Sequence, residues 1–479
     1  MKKRSVLMLV FAFIGALAMG AGCSFLPSKD SQEEASSKES SVATESSEAI
    51  ESSEEIVSSE EASSEIESSE EIVSSEESSE ESSEEETIEC KVTITSPEGE
   101  VFPYVDAAKN YLQAGVGALI DDYYVQGLED AQVPVQIKWQ FEGEGQRKFR
   151  VEYATKADYS DAIVVDMGAA KRSMEVYNLY KATKYYLRIT ALGAKDAVLS
   201  VSESEFETTA LGPRVMNVDG VDNVRDLGGF ETCFGKTIVQ GIAYRGGSLT
   251  TLPDNLYSPA LTDEGKRFMS EELGIVAELD FRNESETGNK LENGSAIPGA
   301  TLTYLTAGGY EDLFISDYNR GIYKDIFVYL SNKDNYPLYY HCTAGADRTG
   351  TVSFMLHALL GVSEWECIQD YEFTSFSSYG LRGGEKGANA GRFNQMLTYL
   401  KEYRGETFQE KAENYFLDIG VTAEQIANIK GIFFGEIAIG GKDAPDVQEA
   451  PIVRNVEKKT LKDMFDETAQ GWTIQKKED

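Results

Sequence analysis

Residues 339–361 read YYHCTAGADRTGTVSFMLHALLG, from Tyr339 to Gly361. An apolar run ends at a cysteine, small and polar residues follow, then an arginine, then an apolar stretch of helical length. Strand, short loop and helix gather free backbone N–H groups at a helix N-terminus, where tetrahedral anions bind. The loop Thr343-Ala344-Gly345-Ala346-Asp347 is small enough for its amides to curl inward. Arg348 can hold two phosphate oxygens at once in its planar fork. A cysteine facing this field has its thiolate stabilised, from an ordinary pKa of about 8.5 downward by one to several units. The C-x5-R spacing therefore predicts a nucleophile, Cys342, below a bound phosphoryl group. Thr349 is placed to hydrogen-bond the sulfur.

The flanks give this loop a setting. Beyond Gly212-Pro213, GIVAELDFR (274–282) and PLYYHC (337–342) are short apolar runs of buried strands. A helix signal begins near Thr262, with Asp263 and Glu264 in its first turn. YKDIFVYLSNK (323–333) is apolar at helical spacing, and 363–435 is mostly helical. Alternating strands and helices predict an α/β domain over 214–437, a central mainly parallel sheet flanked by helices. Arg225 and Asp226, in NVRDLGG, are expected to form a structural ion pair under the loop.

The preceding stretch, 88–210, has a different period. KVTITS, VQIKWQF, KFRVEYA, AIVVDM and KYYLRITAL alternate apolar and polar residues between polar turns, which predicts an all-β antiparallel sandwich. Trp139 in the second-strand position, and Leu179 six residues before Tyr185, resemble the core tryptophan and tyrosine corner of fibronectin type III domains. The resemblance covers about 133–209. The insertion around 106–132 is longer than such domains carry, and no residue in it suggests chemistry. A spacing or adhesive role is expected.

The chain has 479 residues and a formal net charge of -38. About twenty of the excess negative charges fall between Ser31 and Glu86, where almost every residue is Ser or Glu. So few apolar residues cannot offset ordering entropy, and 23–87 is expected to be a disordered acidic linker. The block SSEEIVSSEE starts at Ser52 and again at Ser68, without an apolar face to stack as a solenoid. About 60 such residues span about 45 Å. This acidity argues against nucleic acid as a partner.

The N-terminus, MKKRSVLMLVFAFIGALAMGAGCSF, has a basic start and a short apolar run, as in a secretory signal (1–22). Gly20-Ala21-Gly22-Cys23 resembles a bacterial lipoprotein signal, with Gly20 where a leucine is usual. That resemblance implies lipidation of Cys23, a membrane anchor and an exported domain facing outside. A plain signal peptide is the alternative. The tail, 438–479, is polar with one short helix near 459–468. Five sparse cysteines give no disulfide framework and no zinc pattern. Only two histidines exist, His341 and His357, and His357 reads as packing.

HCTAGADRTG (341–350) resembles the active-site loop of cysteine-dependent protein-tyrosine phosphatases. NVRDLGG, AYRGGSL, LDFRNESE and LGVSEWECIQDYEFTS, in this order over about 215–436, resemble the bacterial atypical tyrosine/serine phosphatases with an HCxxGKDRTG signature. The resemblance implies a phosphocysteine on Cys342, phosphate held by Arg348 and the 343–349 backbone, and Asp347 as general acid. Asp280, at the end of its strand, competes for that role; otherwise it pairs with Arg282. No cofactor and no metal are implied, and a monomer is expected. Ala346 stands where the family has lysine, which favours a single phosphoryl group: a phosphorylated protein or a small phosphomonoester. Exported inositol-phosphate phosphatases share a related loop, usually with Gly where Asp347 stands. A reading from another class is a surface adhesion protein with an inactive phosphatase-like domain.

Overall fold

The structure, a computed structural model, describes residues 89–250, 260–287 and 294–440, Glu129 excepted. The expected signal, Cys23, the acidic linker and nearly all of the tail lie outside the described residues.

The first part of the described chain is built from strands whose alternate residues turn inward. β3 (Val135–Glu142) buries Val135, Ile137 and Trp139, and β4 (Lys148–Ala154) buries Phe149, Val151 and Tyr153. β3 lies between β1 (Lys91–Ser96) and β6 (Ser173–Val176). β4 belongs to a second sheet, in which β2 (Gly99–Val101), β8 (Val198–Thr208), β7 (Lys184–Leu192), β4 and β5 (Ile163–Gly168) follow in spatial order. Side chains from both sheets share one core, with the Trp139 and Phe149 rings 5.6 Å apart. All pairings are antiparallel except β2 with β8. Leu179 and Tyr185 lie in this core, and the Tyr185 hydroxyl accepts from the Tyr180 amide at 2.9 Å.

The long insertion is helical. α1 (Asp106–Ala114) buries Ala108, Tyr111 and Leu112, and a single 3₁₀ turn follows at Ile120–Asp122. These side chains do not join the two-sheet core. They form a separate cluster with Val215, Phe373 and Phe376 from beyond residue 213.

The second part is a six-stranded sheet: β9 (Arg214–Val215), β10 (Arg225–Asp226), β11 (Ala243–Gly246), β12 (Ala277–Asp280), β13 (Thr301–Tyr304) and β14 (Leu338–His341). Their spatial order is β13-β12-β14-β11-β10-β9, with the first four parallel and β10 antiparallel to both of its neighbours. β14 is central and buries all four residues, as expected for a strand covered on both faces. Two apolar clusters lie against the sheet. The larger takes side chains from α5 (Asp317–Leu330), α6 (Arg348–Leu360), α8 (Ala390–Glu402), α9 (Phe408–Asp418) and α10 (Ala423–Phe433). α6 is buried on every side, from Thr349 to Leu360, and is apolar over most of its length. α7 (Glu364–Glu372) packs beside it. Thr262 caps α2 (Asp263–Arg267) by accepting from Gly265 N, so the sequence signal there marks a true helix start.

The expected Arg225–Asp226 ion pair is absent. Successive strand residues point to opposite faces, so these two cannot meet. Asp226 accepts from Arg214 at 2.8 Å, and Arg225 turns to the other side, toward Asp370.

Candidate active site

The centre of the parallel sheet ends at Cys342, directly after β14, and α6 starts at Arg348. Between them the loop is held from behind through its carbonyls. Thr343 O accepts from Ser248 N at 3.0 Å, Ala344 O from Asn223 Nδ2 at 2.9 Å, and Gly345 O from Arg245 Nη2 at 2.7 Å. With three successive carbonyls drawn to the framework, the amides are left to face the opposite side, the geometry of an anion nest. This explains two upstream motifs: NVRDLGG supplies Asn223, and AYRGGSL supplies Arg245 and Ser248. Gly345 has φ +64, and a Cβ there would lie 2.2 Å from Gly246 O, so no side chain fits.

Arg245 is itself anchored. Its Nη1 donates to Asp370 Oδ2 at 2.7 Å, and Arg225 Nη1 donates to the Asp370 carbonyl at 2.7 Å. Burial would raise the Asp370 pKa, but the two guanidinium charges outweigh it and hold the carboxyl below its usual range. The loop therefore rests on a fully buried Arg–Asp–Arg group reached from three separate stretches of chain.

Cys342 is only 2% exposed. Burial pushes its thiol up; the Arg348 charge and hydrogen bonds from the Thr349 side chain and amide overcome this and bring it below the ordinary thiol range. The buried Thr349 hydroxyl has no hydrogen-bond partner among the described residues, so it is free to turn to the sulfur. His341, just before, has Nδ1 3.0 Å from Cys342 O and Nε2 2.8 Å from Glu278 Oε1. Burial opposes its charge, but Asp280 and Glu278 outweigh it and raise its pKa, and the ring is held between the Glu278 carboxylate and the Cys342 carbonyl.

Arg348 is oriented by a residue that sequence reading missed. Glu286, in the short helix α3 (Glu284–Thr287), accepts from Nη1 at 2.7 Å and Nη2 at 2.5 Å. Nη1 also reaches Phe281 O at 3.3 Å. None of these bonds uses Nε, so the Nε–Nη2 edge is the one suited to two phosphoryl oxygens. Burial would raise the Glu286 pKa, but hydrogen bonds from Arg348, the Asn283 amide and Thr343, with the Arg348 charge, together outweigh it and lower it.

The two aspartates have different settings. Asp280 is 0% exposed, and its carboxylate accepts from Arg282 Nε, Nη2 and backbone N at 2.7–3.0 Å. Asp347 has a side chain 34% exposed. Its Oδ1 accepts from the Tyr310 hydroxyl and from Asn389 Nδ2 at 3.2 Å, and lies 3.4 Å from Arg382 Nε. Tyr310, Asn389 and Arg382 had no signal in sequence, because Tyr310 arrives from one loop and the other two from another, all far from Asp347 along the chain. Ala346 is fully buried, so its position adds nothing to the mouth of the site.

Among the described residues, Glu278, Asp280 and His341 are the group whose types and spacing could ligate a metal, with ligand atoms within 4.8 Å. Their atoms are committed to one another and to Arg282, which closes the cluster as an ion-pair network. Cys90, Cys233 and Cys367 are free thiols away from the loop. His357 packs on Phe230 and reaches Leu227 O at 3.1 Å.

Comparison with known proteins agrees with this geometry. Residues 216–434 match the tyrosine phosphatase family. A Cupriavidus necator protein, H16_A0669, which carries a provisional tyrosine-protein phosphatase name, is 26% identical over 200 residues, 37% of this chain and 70% of the relative. A tyrosine-protein phosphatase of Nostoc commune is 25% identical over 130 residues, 22% of this chain and 42% of that one. Among solved structures, the core catalytic domain of the PP-IP phosphatase Siw14 from S. cerevisiae is 16% identical, covering 42% of this chain and 97% of its own, with a TM-score of 0.24, too low to bear on the fold. With the sequence matches, the 216–434 segment is a phosphatase of the cysteine-dependent type.

Proposed function

We propose that this chain hydrolyses phosphomonoesters, phosphotyrosine in proteins foremost, through a phosphocysteine on Cys342. The observation that carries the reading is the loop itself: carbonyls tied outward, a lowered Cys342 thiol, and the open edge of Arg348 at one place. The Cys342 thiolate attacks phosphorus as the P–O bond breaks, and the leaving oxygen takes a proton from Asp347. Asp347, now a carboxylate, removes a proton from water; that water attacks phosphorus, the P–S bond breaks, and phosphate leaves with the thiolate restored. Arg348 and the amides of 343–349 neutralise charge on the equatorial oxygens.

Asp347 suits the acid role because it is partly open and held at one oxygen only. Asp280 is buried and fully used by Arg282, which suits a structural role. A single phosphoryl group is favoured, because Ala346 brings no cation and the Arg382 charge is spent on Asp347. This supports a phosphorylated protein or small monoester over inositol polyphosphates.

The remaining assignments belong to the same reading. The two-sheet unit is fibronectin type III-like, supported by the buried Trp139 and the Tyr185–Tyr180 hydrogen bond. The chain is exported through its 1–22 signal, anchored by lipid on Cys23, and spaced from the membrane by the acidic 23–87 linker. Mass spectrometry of Cys23 tests the anchor; an unmodified thiol rejects it.

The decisive experiment offers phosphotyrosine peptides, phosphoserine peptides and inositol polyphosphates to the wild type and to Cys342→Ser. We expect vanadate-sensitive turnover on phosphotyrosine, and a loss of several orders of magnitude in Cys342→Ser with phosphate binding retained. Turnover by Cys342→Ser above about a tenth of wild type excludes the mechanism.

A further inference from the structure

The stretch 377–389 carries two of the three groups that hold Asp347, Arg382 and Asn389. Its tip is held by residues far outside the 216–434 segment. Asp121, in the 3₁₀ turn of the helical insertion, accepts from Glu385 N through Oδ2 at 2.8 Å and from Lys386 N through Oδ1 at 2.9 Å. Both carboxylate oxygens therefore close on the tip of the loop. Alongside, the Tyr111 hydroxyl of α1 donates to Glu372 Oε2, and Glu372 Oε1 accepts from Gly384 N at 2.7 Å. Three consecutive amides, those of 384, 385 and 386, are thus held by carboxylates that the insertion supplies or orients.

The loop sequence is built to receive Asp121. Gly384 has φ +58, and a Cβ there would lie 1.9 Å from Asp121 Oδ2. Below the tip, Arg382 is bracketed by Ser375, whose Oγ accepts from Arg382 N at 2.9 Å and donates to Arg382 O at 3.0 Å. Arg382 Nη1 is turned back on Tyr379 O at 3.0 Å and Leu381 O at 3.2 Å, with its side chain 13% exposed. The guanidinium has little freedom left except to face Asp347. Apolar contacts back this arrangement: the Tyr111 ring lies 5.9 Å from Phe376, and Tyr104 meets Phe373 edge-on at 5.4 Å.

We propose that the helical insertion at 106–132 is a positioning element of the active site. Asp121, with Tyr111, holds the 377–389 loop so that Arg382 and Asn389 orient the carboxyl of Asp347. The N-terminal unit is then part of the phosphatase's working machinery. This rests on the reading of Asp347 as the proton donor, and the test separates the two.

In the full chain, kcat is measured for Asp121→Ala, Asp347→Asn and the double variant on p-nitrophenyl phosphate and on an alkyl phosphate. A phenolate leaves with little help, whereas an alkoxide needs the proton. Asp121→Ala is expected to lose about tenfold on the alkyl ester and under about twofold on the aryl ester, a fraction of the usual acid–base contribution. In the Asp347→Asn background, adding Asp121→Ala should change nothing further. Melting temperature and the rate at which iodoacetate alkylates Cys342 serve as controls for folding and for the nucleophile. If Asp121→Ala does not fold, Asp121→Asn, which keeps one acceptor oxygen, should show the same pattern at smaller size.

An equal loss on both esters, or a full additional loss in the Asp347→Asn background, overturns the proposal. A flat leaving-group dependence in Asp347→Asn alone overturns the acid assignment instead. In that case the coupling between the two variants in kcat still decides whether Asp121 acts through Asp347.

Discussion

Glu286 grips Arg348 across the Nη1–Nη2 edge, at 2.7 and 2.5 Å, and Thr343 Oγ1 donates to the same carboxylate at 3.2 Å. One carboxylate thus orients the arginine that opens α6 and tethers the first loop residue. Two roles are conceivable for such a grip, positioning or blockade, and they predict opposite outcomes.

Glu286→Gln should lower kcat/KM by roughly tenfold to a hundredfold, with KM and the vanadate inhibition constant both rising, because the guanidinium loses its fixed orientation. Steady-state kinetics with p-nitrophenyl phosphate reads this directly. A rise in kcat/KM would mean that Glu286 competes with substrate for Arg348.

The Cys342 thiol lies below its ordinary range partly because of Thr349. Iodoacetate inactivation of the wild type should therefore show a midpoint below about 8.5. Thr349→Val removes a hydrogen bond that favours the thiolate, so the midpoint should move to higher pH. An unchanged midpoint would leave Arg348 and the Thr349 amide as the whole cause.

Asp280→Asn and Asp347→Asn should fail in different ways. Asp280→Asn leaves Arg282 buried without its counter-charge, so it should lower the melting temperature and reduce kcat equally on aryl and alkyl phosphates. Asp347→Asn should leave stability nearly unchanged and lose roughly a hundredfold or more on alkyl phosphates. A steep leaving-group dependence for Asp280→Asn with a flat one for Asp347→Asn would exchange the two roles.

Lys181 offers a test by pH. It is buried, donates to Gly212 O at 2.7 Å and sits 3.9 Å over the Phe230 ring. Burial brings its pKa down to about 8, while in the unfolded chain it stays near 10.4. Between these values the unfolded state binds more protons, so the wild type should gain stability as pH rises from about 8 to about 10.4, by at most a few kcal/mol. Urea melts of wild type and Lys181→Met across this range should show the wild type gaining on the variant. A constant gap would place the Lys181 titration outside the window.

Much of the setting of Cys342 was legible in sequence because it is local. Strand, loop and helix follow one another between Leu338 and Leu360, and their order alone dictates where amides collect. Glu286 was not legible, since nothing in a sequence ties it to Arg348 62 residues later. The supports of the loop, Asn223 and Arg245, lay in motifs that could be recognised, but which carbonyl each holds depends on the sheet. Arg225 and Asp226 misled because adjacency suggests contact, whereas a strand sends neighbours to opposite faces. The 106–132 insertion looked inert for a related reason. Asp121 acts on backbone amides, and amides leave no trace in residue identity.

The cluster of Tyr104, Tyr111, Leu112 and Ile120 with Val215, Phe373 and Phe376 has a consequence for how the molecule melts. Its members come from both sides of residue 213, so neither side can shed its partner without wetting aromatic surface. Arg214 strengthens the tie, donating to the carbonyls of Asn178 and Leu179 while it pairs with Asp226. Two cores that share a third lose independence, and calorimetry should record one cooperative transition for the described region. A cut placed at 213, where the alternating strand period gives way to strands and helices, would release a fragment with Phe373, Phe376 and Val215 in water. Such a fragment should associate through that patch, so the natural seam in the sequence is a poor place to divide the protein.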